Sequence, residues 1–179
     1  MSFNYVQNTQ EFKASRIMEA TFADEAKERG YDVTKSSFHE DTKEHIDFFL
    51  EKDGLSFSVD VKGRKKVNRH DNSYTDNSTW VEFKNINGNP GWLYGKANYI
   101  VFEQADKYIF INREHLLAYC LDAVEDSYVS TGKEARYKYY TRSGREDLLS
   151  RIELGKAVKS DFFSEPPMIW KKSNDESNS

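Results

Sequence analysis

Three charged side chains early in the chain have the types and spacing to do chemistry. Asp47 interrupts the apolar run Ile46-Asp47-Phe48-Phe49-Leu50, and Asp60 and Lys62 stand two residues apart at the end of the alternating segment Leu55 to Lys62. Residues i and i+2 of a strand point to one face, so Asp60 and Lys62 would share it. Between the two segments lies Lys52-Asp53-Gly54, a hairpin turn signal. The hairpin makes the segments neighbours and, in the right register, brings Asp47 to Asp60. Two adjacent carboxylates repel unless a proton or a cation sits between them, and oxygen donors of this kind suit Mg²⁺ or Mn²⁺. A lysine beside the pair could orient an attacking water and stabilise charge building on a phosphate. Two acids and a lysine around a divalent ion therefore make a centre able to cleave a phosphodiester.

Other residues are candidates around that centre. Arg64, Lys65, Lys66 and Arg69 directly follow Lys62 and could contact phosphates. His45 is two residues from Asp47 and would share its strand face. Glu82-Phe83-Lys84 is a second acid-x-lysine on an expected strand, which allows an alternate frame with Asp60 as the first acid and Glu82 and Lys84 as the second motif. Trp80, Trp92 and Tyr94 could stack on unpaired bases, although core packing explains most such aromatics. Cys120, among Leu116, Leu117 and Leu121, reads as a small buried hydrophobe.

The elements that must position these groups are legible from periodicity. Phe12 to Arg29 has helical spacing of Ile17, Met18, Phe22, Ala23 and Ala26, and Gly30 stops the run. Strands are expected over Tyr31–Ser37, His45–Glu51, Leu55–Val61, Thr79–Lys84, Asn98–Glu103 and Lys107–Ile111. Asn112 can cap a helix running to about Ala123. Further on, Tyr137–Thr141 suits a strand, and Ser143-Gly144-Arg145-Glu146 has the spacing of a capping box opening a helix at Leu148 and Leu149. The polar stretch 63–78 reads as a long loop. The order is that of an α/β fold, a mixed sheet flanked by helices. One domain over 1–170 is expected, with its core at about 12–111, an extension over 112–170 and a disordered tail over 171–179.

Composition narrows the classes. The 179 residues carry 26 Lys and Arg against 30 Asp and Glu, a formal charge of −4, but the charge is segregated. Glu19 to Asp53 holds 11 acids and five bases, whereas Lys62 to His70 holds five bases and no acid. Acids beside bases are what a metal-dependent enzyme acting on a polyanion needs. The single cysteine excludes a disulfide framework or a cysteine-rich zinc site. No apolar run is long enough to span a bilayer, and the polar start Met1-Ser2-Phe3-Asn4-Tyr5 lacks the apolar stretch of a signal peptide. A soluble, intracellular, cytoplasmic chain with no membrane partner is expected.

Asp47, twelve intervening residues, then Asp60-Val61-Lys62 resembles the motif of the PD-(D/E)XK nucleases, over about residues 12 to 111. No proline precedes Asp47, where Ile46 stands instead. The resemblance implies a restriction-endonuclease-like core and, as in Holliday junction resolvase-like members, a metal-binding glutamate in the first helix. Glu19, eleven residues before Gly30, occupies that place, with Phe22, Ala23 and Ala26 on its face. By resemblance, Glu19, Asp47, Asp60 and the Val61 carbonyl would hold Mg²⁺, for which Mn²⁺ could substitute, and Lys62 would position or activate the water. The substrate would be DNA, a homodimer would serve to cut two strands, and a phage or other mobile element is an expected source. Two alternatives stand beside it: a non-catalytic nucleic-acid-binding protein that keeps the fold, and a small-molecule enzyme with a carboxylate–metal site in a closed pocket.

Overall fold

The computed structural model describes residues 10–66 and 74–173. The first helix, α1 (Gln10–Glu28), buries Phe22, Ala23 and Ala26 on one stripe, while Ile17, expected in that stripe, is exposed. It ends at Gly30, whose positive φ of 82° reverses the chain into β1 (Asp32–Lys35). A five-residue π-helical turn, Glu40–Glu44, leads to the hairpin of β2 (Phe48–Lys52) and β3 (Leu55–Lys62). Both turn residues of that hairpin, Asp53 and Gly54, have positive φ, as a two-residue turn between twisted strands requires.

After β3 come the two-residue β4 (Lys65–Lys66) and β5 (Tyr74–Thr75), then β6 (Thr79–Lys84) and a 3-10 turn, Trp92–Tyr94. The chain continues through β7 (Tyr99–Glu103), β8 (Lys107–Asn112), α2 (Arg113–Ala123), β9 (Glu125–Val129), β10 (Lys138–Tyr140), β11 (Leu148–Ile152), the short α3 (Leu154–Ala157) and β12 (Met168–Lys171). Asn112 caps α2 as its type predicts: its side chain accepts from the His115 N–H at 3.0 Å.

The strands form two main sheets. The first has the order β1-β2-β3-β7-β8-β12 and is mixed: β3 and β7 run parallel and the other neighbours antiparallel. The second has the order β6-β11-β10-β9, with only β9 and β10 parallel. Two apolar clusters cover the faces of the first sheet. In one, α1 packs Phe22 and Ala26 on Leu50, Val59, Val61 and Val101. In the other, Leu116 and Cys120 of α2 and Val81, Phe83 and Ile152 of the second sheet pack on Ile100, Phe102 and Ile111. The architecture is α/β, with mixed sheets flanked by helices.

Three expectations change. The capping box at Ser143 opens no helix: Gly144 has a φ of 71°, the chain turns, and Leu148–Ile152 pairs with β6 across the second sheet. The buried Asp147, accepting from the backbone N–H of Arg142 at 2.9 Å, fixes that turn. Residues 112–170 are not a mere extension, since they supply most of the second sheet and return β12 to the edge of the first. Lys171 to Ser173, expected in the tail, also make contacts: Lys171 closes β12, Lys172 Nζ pairs with Glu103 at 2.8 Å, and Ser173 Oγ donates to Glu25 at 3.2 Å. Residues 174–179 lie outside the described residues.

Phe22 is the centre of the cluster under α1. Its ring meets Phe48, Tyr108, Phe110 and Trp170, the last stacked at 5.8 Å and 9°. Phe22→Ala should cost about 3–5 kcal/mol, the lost transfer energy plus a cavity the four rings cannot close, read as a lower urea midpoint. Among the described residues no helix is long and apolar enough to cross a membrane.

Candidate active site

The turn at Asp53-Gly54 fixes the register of the hairpin, with Phe48 opposite Val59 and Lys52 opposite Leu55. The paired register ends at Phe48, and Asp47 before it is bound to the same residue, Val59. Asp47 lies just before β2, not inside it as the apolar run predicts, because the left-handed backbone of His45 (φ 54°) turns the chain there. It nevertheless stays bound to β3. The Asp47 N–H donates to the Val59 carbonyl at 2.8 Å, and the Val61 N–H donates to Asp47 Oδ2 at 2.7 Å. The second bond pins the carboxylate at the end of the hairpin.

Asp60 and Lys62 share a face, as their spacing requires, and pair at 2.8 Å between Lys62 Nζ and Asp60 Oδ1. The Lys62 ammonium also lies 5.1 Å from the Trp92 ring centre, which anchors it from the side of the 3-10 turn. Asp60 is only 3% exposed, and its other oxygen, Oδ2, is buried with no hydrogen-bond partner. A buried carboxylate oxygen in that state is costly and calls for a donor or a cation.

Electrostatics ties the groups together. Burial, then the Asp60 carboxylate and more weakly Glu19, push the Asp47 carboxyl up to about 8, against the pull of Lys62. Burial disfavours the Lys62 ammonium, yet Asp60 and Asp47 outweigh it and hold its pKa above the ordinary lysine value.

α1 delivers Glu19 to the same place, half-buried on the face shared with Phe22. Its partner is Lys35 of β1, which the sequence pattern did not mark. Lys35 Nζ lies 2.9 Å from Glu19 Oε2 and 4.0 Å from Asp47 Oδ1. Its signal was latent in strand pairing: β1 runs antiparallel to β2 with Lys35 opposite Phe48, one residue from Asp47. Asp41 was missed as well. Burial raises its pKa, Lys35 lowers it, and Glu19 and Asp60 raise it further. It sits in the irregular π-helical turn, which leaves no periodic trace. A cleft of about 660 Å³ opens beside Glu19, Lys35 and Asp41 and is also lined by Phe12, Arg16 and Lys27.

Among the described residues no three acidic or histidine side chains converge in ligating geometry; Glu19 is turned to Lys35, and Asp60 to Lys62.

The remaining candidates divide. Burial raises the pKa of Glu82, opposed by the charges of Lys62 and His45. Gly91 runs so close to Glu82 that an added Cβ would lie 2.4 Å from the Glu82 carbonyl oxygen, which locks the 3-10 turn carrying Trp92 to β6. Lys84 is exposed near the end of β6, its backbone paired with Leu148 and bridged to Pro90. Arg64 is engaged by Asp76, Nε to Oδ1 at 2.9 Å, and Lys65 is exposed on β4. Lys66 pairs through its backbone with Tyr74, and Arg69 lies outside the described residues. Trp92 is core; Trp80 packs on Tyr140 and lies under Arg151; Tyr94 is exposed. Burial pushes the Cys120 thiol up to about 12, as befits an inert core residue.

No family model matches the chain, and no curated protein matches it. Among solved structures it is similar to a bacterial homing endonuclease, at 18% identity over 58% of this chain and 70% of that chain, with a TM-score of 0.40.

Proposed function

We propose that this chain is a Mg²⁺-dependent nuclease of the PD-(D/E)XK type that hydrolyses DNA phosphodiester bonds. The observation that carries the proposal is Asp60: one oxygen on Lys62, the other buried without a partner, beside a second carboxylate that its presence helps to keep protonated. A divalent ion is the simplest group that would satisfy the orphan oxygen and let both carboxyls ionise. The donor set fits it, since Asp47, Asp60, Glu19 and the Val61 carbonyl offer hard oxygens only. The bound ion would polarise the scissile phosphate and offset the charge that develops on it.

The chain's own residues do the rest. Lys62, fixed by Asp60 and Trp92, orients the water that attacks phosphorus and stabilises the growing negative charge. The water oxygen bonds to phosphorus and releases a proton to solvent, the P–O bond to the leaving sugar oxygen breaks, that oxygen takes up a proton, and no covalent intermediate forms. Glu82 and His45 border the site. Lys65 and Lys66 follow Lys62 where the flanking phosphates of a bound strand would run.

Purified protein incubated with supercoiled plasmid and Mg²⁺ or Mn²⁺ should give nicked or linear product, and EDTA should stop it. Retarded but uncut DNA under every metal condition would establish the alternative, a nucleic-acid-binding protein that keeps the fold without the chemistry.

A further inference from the structure

Among the described residues, Lys35 and Lys62 both place an ammonium group beside these acids, and they are held differently. Lys62 is three-quarters buried, 2.8 Å from Asp60 and braced by the Trp92 ring. Lys35 has 47% of its side chain exposed, lines the open cleft, and reaches back over the Phe48 ring at 4.7 Å. Its Nζ is 2.9 Å from Glu19 and 4.0 Å from Asp47, and its charge also lowers the pKa of Asp41. It thus stands between the Glu19 carboxylate of α1 and the Asp47 carboxyl at the start of β2, held by a flexible stem and a partly wet ion pair to Glu19, which is weak.

We infer that Lys35 is a displaceable counter-ion: its ammonium stands in for a divalent cation between Glu19 and Asp47 and must swing out into the cleft before the cation can bind both. The inference rests on the metal-site reading proposed above. An arrangement in which Lys35 occupies the carboxylates is incompetent for the ion, so apparent affinity falls by the fraction of molecules in it. Removing the ammonium removes that competition. Lys62 cannot play this part, because its pair with Asp60 leaves the Oδ2 atom open.

The test is Mn²⁺ binding to the full chain, by calorimetry and by loss of the free-ion paramagnetic resonance signal, with no DNA present. Lys35→Met keeps the stem on Phe48 and removes the charge. It should tighten the Mn²⁺ dissociation constant about fivefold, the worth of one partly exposed ion pair. Lys35→Gln should tighten it in the same direction, and Lys35→Arg, which retains the charge, should stay close to wild type. Asp60→Asn is the control that places the ion in this site and should lose the binding. If wild type binds, Asp60→Asn does not, and Lys35→Met binds equally or more weakly, the counter-ion role is overturned while the metal site stands. If neither wild type nor Lys35→Met binds, or if Asp60→Asn binds as wild type does, the metal site falls and the role of Lys35 falls with it.

Discussion

Asp60→Asn should cut plasmid about 1,000-fold more slowly than wild type under saturating Mg²⁺, with its circular dichroism spectrum unchanged. The size follows from what the carboxylate does. Asp60 has one oxygen on Lys62 and the other buried without a partner, so in the proposed mechanism its charge would serve both the ion and the lysine. Loss of several kcal/mol of charge stabilisation at the reacting phosphate amounts to about three orders of magnitude in rate. The asparagine is nearly the same size and still offers an oxygen to Lys62, so the local packing survives. A folded variant that cuts within a few-fold of the wild-type rate would show that the ion is held elsewhere.

What the sequence made legible was local. The α1 stripe, the Asp53-Gly54 hairpin, the β7–β8 pair and the Asn112 cap each depend on residues close in the chain, and each is present. The register of that one hairpin follows from its two-residue turn, which leaves little freedom in the pairing, and it runs from Lys52–Leu55 to Phe48–Val59. The second sheet was not legible in this way. Leu149 meets Glu82 and Arg151 meets Trp80 across a long loop-rich separation, and no short-range pattern specifies such partners. The same holds for Trp170, which closes the cluster on Phe22 from the far end of the chain. The capping-box spacing at Ser143 misled because four residues cannot outweigh the pairing of Leu148–Ile152 with β6. In the site, the acids and Lys62 stood out as polar residues in apolar or alternating strands, whereas Lys35 and Asp41 became visible only through the neighbours that the folded chain supplies.

Without divalent cations, the protein should lose stability as pH rises from about 4 to about 8. In the folded chain the Asp47 carboxyl is pushed up to about 8 by burial and by Asp60, while in the unfolded chain an aspartate titrates near its ordinary value of about 3.9. Between those limits the folded state holds a proton that the unfolded state has released. Stability then falls with pH, by at most about 1.4 kcal/mol for each pH unit per proton. Below the window both states are protonated and above it both are ionised, so Asp47 contributes no slope at either end. Urea midpoints at pH 5, 6, 7 and 8 in EDTA measure this directly. Asp47→Asn should flatten the curve, and Asp60→Asn should shorten it by removing the second-largest cause of the shift. Saturating Mg²⁺ should flatten it too, because a cation between the carboxylates keeps Asp47 ionised in the folded state. The proton it displaces should appear in calorimetry at pH 7 as a binding heat that changes with the ionisation enthalpy of the buffer. A wild-type curve in EDTA as flat as that of Asp47→Asn would mean that Asp47 is already ionised at neutral pH, and that Lys35 and Lys62 alone balance the acids around them.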